Sequence, residues 1–73
     1  MKVWVLNHTN YGDVYVWSED TDVLEIPLVK DELEALVGEY DDEAEEFKNN
    51  VAAGRRATVE ERFEIELVEV RTL

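Results

Sequence analysis

Nearly all the side chains in this sequence that could do chemistry are carboxylates. Among 73 residues there are 19 acids against 7 bases, with one histidine (His8), one serine (Ser18) and no cysteine. Without a thiol there is no cysteine nucleophile, thiolate metal site or disulfide. His8 and Ser18 stand in no nucleophile motif that would mark a triad, and no second histidine supports a zinc site. Asp20-Thr21-Asp22 begins like a calcium loop, but Leu24 and Glu25 stand at the third ligand and glycine positions, so the pattern fails. Paired carboxylates can act as acid and base only where burial separates their pKa values. Here the acids fall on the solvated side of a helical pattern. The expectation is a non-enzymatic protein with no cofactor and no metal.

The distribution of charge says more than its total. The formal net charge is -12. Residues 19–46 hold 13 acids against Lys30, and the remainder holds 6 acids against 6 bases, so the whole excess lies in one segment (1 - 13 = -12; 6 - 6 = 0). Such a field repels nucleic acid and anionic membranes and attracts basic surfaces. Adaptation to high salt would spread acids over the whole surface, which the neutral remainder does not do. No apolar run approaches the roughly 20 residues of a membrane span. Met1–Leu6 is too short for a signal peptide, so a cytoplasmic protein is expected.

The element that must position these acids is Leu28–Ala53. Val29, Leu33, Leu36, Val37, Tyr40, Ala44, Phe47 and Val51 recur at steps of three and four, which places them on one stripe of a helix. The opposite arc carries Asp31, Glu32, Glu34, Glu39, Asp41, Asp42, Glu43, Glu45 and Glu46. Pro27 suits the first turn, with Asp31 and Glu34 as an alternative, capping-box-like start one turn later, and Gly54 suits the position just past the end. The stripe keeps its phase across Gly38, so one long acidic helix is expected, continuous or gently kinked there. Before it, Lys2–Asn7 and Asp13–Ser18 read as strands joined by turn residues, with Trp4 opposite Trp17, Val5 opposite Val16 and Leu6 opposite Tyr15. After it, Thr58–Glu61 reads as a connector and Arg62–Thr72 as a strand. The strand's apolar parity switches between Leu67 and Val68, as a β-bulge would make it. The fold expected is α+β, a single domain of β-β-α-β order with a three-stranded antiparallel sheet.

Two candidate binding surfaces follow. On a continuous helix, Asp31–Glu46 rises about 22 Å, one carboxylate per roughly 2.5 Å against one phosphate per about 1.7 Å along duplex DNA. An ordinary solvated helix interleaves Glu with Lys at i, i+4, whereas this one sets Asp41 beside Glu45 and Asp42 beside Glu46. Asp31, Glu34, Glu39, Asp41, Asp42, Glu45 and Glu46 are the expected partner-binding residues. The second surface is the sheet face carrying Trp4, Leu6, Tyr15 and Trp17. If one helix covers the other face, these four form an exposed patch suited to homodimerisation. If they are the core, the valines face outward.

The segments Val3–His8, Asp13–Asp20 and Arg62–Val70, around the acidic helix, resemble the small acidic proteins carried by bacteriophages and mobile elements of actinobacteria and archaea. That group includes anti-CRISPR and anti-restriction inhibitors, several of which mimic DNA. The resemblance implies an inhibitor of a defence nuclease or effector complex, acting in the cytoplasm of a bacterial or archaeal cell, and it fixes no functional residue. The alternative reading is a homo-oligomeric interaction module whose acids serve solubility.

Overall fold

In a computed structural model, residues 1–8, 12–60 and 62–71 are described. Thr9–Tyr11 of the expected turn, Glu61 and Thr72 lie outside them. Four strands, β1 (Lys2–His8), β2 (Asp13–Ser18), β3 (Ala57–Val59) and β4 (Phe63–Glu69), form one antiparallel sheet in the order β2-β1-β4-β3. A 3₁₀ turn at Val23–Glu25 precedes two helices, α1 (Pro27–Glu34) and α2 (Asp41–Ala52). The fold is α+β, with four strands rather than three and two helices rather than one.

The hairpin has its expected register, Trp4 opposite Trp17 and Leu6 opposite Tyr15. The side of the sheet facing the helices carries Trp4, Leu6, Ala57, Val59, Phe63 and Ile65. All are buried together with Val29, Leu33, Leu36, Ala44, Phe47 and Val51 of the helical segment. The expected bulge is absent. Pairing of β1 with β4 runs unbroken from Lys2–Glu69 to His8–Phe63, so Leu67 points to the helices while Val68 lies opposite Val3 on the other face. Apolar residues of both parities here mean a strand greasy on both faces.

Gly38 divides the helix. It has φ +93, and its N–H donates to Asp41 Oδ1 at 2.9 Å, which starts α2. Continuing Leu28–Ala53 as one rod would span about 39 Å at 1.5 Å per residue, against about 23 Å for a seven-residue strand. Breaking at the one residue that takes positive φ at little cost lets both halves cover the sheet. Consequently Val37 and Tyr40 leave the buried stripe and are 70% and 49% exposed. At the other end of α2, Gly54 (φ +71) closes a Schellman motif: its N–H donates to the Val51 carbonyl at 3.0 Å, and that of Arg55 to Asn50 at 2.8 Å.

The expected connector at Thr58 is strand β3. Ala57 and Val59 are fully buried, and Thr58 pairs with Glu64. Three residues are too few to show a strand's period in the sequence.

Candidate functional site

The exposed surface of the two helices is where the excess charge lies. In α2, Ala44, Phe47 and Val51 are buried. At about 100° per residue, Asp41, Glu45, Asp42 and Glu46 then fan over roughly 140° on the opposite side. Within six residues, about 8 Å of rise, they set four carboxylates at a spacing close to that of duplex phosphates. Asp31 and Glu34 of α1 and Glu39 of the junction are likewise exposed, so all seven expected partner-binding residues face solvent. None of the seven forms an ion pair among the described residues. Asp41 alone has a hydrogen bond, to the Gly38 N–H.

The other two helix acids do different work. Glu32 accepts from His8 Nε2 at 3.1 Å and lies 3.3 Å from Arg62 Nη2. With the His8 side chain 6% and the Glu32 side chain 15% exposed, this cluster ties β1 to α1 and to the turn before β4. Phe63 meets the His8 ring edge-on at 5.7 Å. Glu43 accepts from the backbone N–H of Glu60 at 3.0 Å. That bond holds Glu60, whose φ of 48 is unusual for a residue with a side chain. Spacing along one helix cannot separate these two acids from the others, because their partners come from β1 and the distant β3–β4 hairpin.

Between the helices runs an open cleft of ≈ 490 Å³ whose lining includes Leu24, Leu33, Val37 and Ala44, with Glu34, Asp41, Glu45, Lys30 and Lys48 also on it. Val37 and Tyr40 stand exposed beside the acids of the junction. They are apolar members of the charged surface that the unbroken stripe hid. Among the described residues no three His, Asp or Glu side chains converge to hold a metal ion. No described helix is long and apolar enough to cross a membrane.

The four residues expected on an open aromatic face part company. Trp4 is 6% exposed and Leu6 is fully buried against the helices, with Trp4 Nε1 donating to the Glu19 carbonyl at 3.3 Å. Trp17 is half-buried, and only Tyr15 is exposed, its ring stacked on that of Trp17 at 5.9 Å. The aromatic side is therefore the core side. The uncovered face carries Val3, Val5, Val14, Val16 and Val68.

No family model, no curated protein and no solved structure matches the chain.

Proposed function

We propose that the chain is a non-enzymatic inhibitor whose acidic helical surface occupies a basic nucleic-acid-binding channel of a defence nuclease or effector complex. This is the role of several of the phage and mobile-element proteins it resembles, and it would be exercised in the cytoplasm of the infected cell. The observation that carries the reading is the set of seven exposed carboxylates on residues 31–46, none in an ion pair among the described residues. Opposite charge paired across such a surface raises association rates and is screened by salt. Exposed Val37 and Tyr40 support a protein partner, since a surface of charge alone lacks the apolar anchors that hold interfaces together.

The test is capture from the lysate of a defence-proficient host at low salt, with the wild type and the triple variant D42K, E45K and E46K side by side. The reading expects a nucleic-acid-binding protein held by the wild type, released at a few hundred millimolar salt and not held by the variant. Added to the purified partner, the wild type should displace its DNA or RNA. Equal capture by the folded variant overturns the proposal.

A further inference from the structure

The strand β2 is unlike the other three. It lies at a sheet edge, so alternate N–H and C=O groups along it have no neighbouring strand. Of the helices, α2 packs on β3, at the opposite edge, and of β2 the residue packed against the core is Trp17. One face of β2 is open, with Val14 and Val16 exposed at 59% and 60%, and on the other Trp17 is half-buried while Tyr15 is 40% exposed. Edge strands of soluble proteins are ordinarily protected by lysine, proline, a bulge or short length. Six residues long and paired without interruption to β1, Asp13-Val14-Tyr15-Val16-Trp17-Ser18 has none of these.

We infer that β2 pairs antiparallel with β2 of a second copy, joining two sheets into one of eight strands around a two-fold axis at Tyr15. Residues opposite one another in an antiparallel pair share a face, so a continuous sheet with its helices on one side requires odd-to-odd and even-to-even pairing. Centring on Tyr15 sets Val14 against the partner's Val16 on the open face. It sets Tyr15 against the partner's Tyr15 on the other and Asp13 against the partner's Trp17. No acid faces an acid. Centring on Val16 instead would set Asp13 against the partner's Glu19 at both ends, which costs energy in a chain already at -12. The strand's own self-complementarity, with Val14 on Val16, Tyr15 on Tyr15 and no acid on an acid, favours a second copy as occupant, and the spread of the remaining charge tolerates it. In the eight-stranded sheet the two β3 strands, and the α2 helices over them, stand about 34 Å apart at about 4.8 Å per strand, several Debye lengths at physiological salt.

The inference is independent of the proposed function, and salt tells them apart. Binding through the acids weakens as salt rises, whereas edge pairing of two anionic copies tightens. Sedimentation of the full chain up to about millimolar concentration, at about 0.05 and about 0.5 M NaCl, should show a monomer–dimer equilibrium that moves toward dimer in the higher salt. Y15K and Y15E should each weaken the dimer by about tenfold, and an equimolar mixture should restore it, because residue 15 meets its own copy at the axis. Amides of β2 should exchange more slowly as wild-type concentration rises, a readout that needs no variant. A chain that stays monomeric throughout leaves β2 free for another protein's strand and overturns the inference. Dimers that persist equally in both variants overturn it as well.

Discussion

The strands and the helices of this protein treat charge in opposite ways. In and around the sheet, three of the five described carboxylates are matched, Asp13 and Glu66 being the exceptions. Arg56 Nε lies 3.0 Å from Glu64, Arg62 Nε lies 3.4 Å from Glu60, and the N-terminal amine lies 3.2 Å from Glu69. On the helices and the turn before them, Glu25 has Lys30, Glu32 has His8 and Arg62, and the seven acids of the exposed surface have no base among the described residues. Both regions use the same residue types at similar exposure, so solubility alone does not account for the contrast. Pairing in one region and unrelieved repulsion in the other are what different demands would produce: folding on the sheet and, under the proposed function, encounter with a cationic partner on the helices.

If that contrast is right, substitutions should divide by region. The largest effect is expected inside: Phe47→Ala removes a side chain packed on Phe63 (ring centroids 6.0 Å apart) and should cost about 3–5 kcal/mol. That equals the whole stability expected of a domain this small, so circular dichroism should show an unfolded chain. Glu45→Ala, two residues away on the solvent side, should leave the urea midpoint within about 0.5 kcal/mol of wild type. Next comes the contrast between acids of one helix. Glu32→Gln disrupts the buried contacts to His8 and Arg62 and should cost about 2 kcal/mol, while Glu34→Gln should be neutral or slightly stabilising. Equal effects of the two would erase the distinction between a structural acid and a surface acid.

Gly38→Ala gives a test by sign. In an unbroken helix the change would stabilise by about 1 kcal/mol. At φ +93 it should destabilise by about that amount through backbone strain alone, since an added Cβ would meet no atom within 4 Å. The smallest effect concerns the medium. Raising NaCl to about 0.5 M should stabilise the wild type by a few tenths of a kcal/mol as helix-surface repulsion is screened. The D42K, E45K and E46K variant, at net -6 (-12 + 6), should show less of this dependence in urea titrations.

Much of the candidate site was legible because exposure on an amphipathic helix follows from period. Asp31, Glu34, Asp41, Asp42, Glu45 and Glu46 all emerge opposite buried positions, as a 3.6-residue repeat requires. Val37 and Tyr40 were not legible. They keep phase with the stripe, and only the change of chain direction at Gly38 turns them outward. On the sheet, period told which residues share a face but not which face the helices take. Trp4 with Leu6 and Val3 with Val5 are equally apolar, and the choice belongs to the elements that pack against them.

By itself, then, the sequence determined the α+β class, the hairpin, the end of the helical segment at Gly54, and a charge excess confined to residues 19–46. These rest on local geometry or on composition, which neighbours along the chain decide. Tertiary structure alone decided that the helix breaks, that Ala57–Val59 is a strand, that Trp4 and Leu6 are core, and that Glu32 and Glu43 serve the fold. Each of these depends on a partner far along the chain, on the length of sheet a helix must cover, or on a face that only packing can fill.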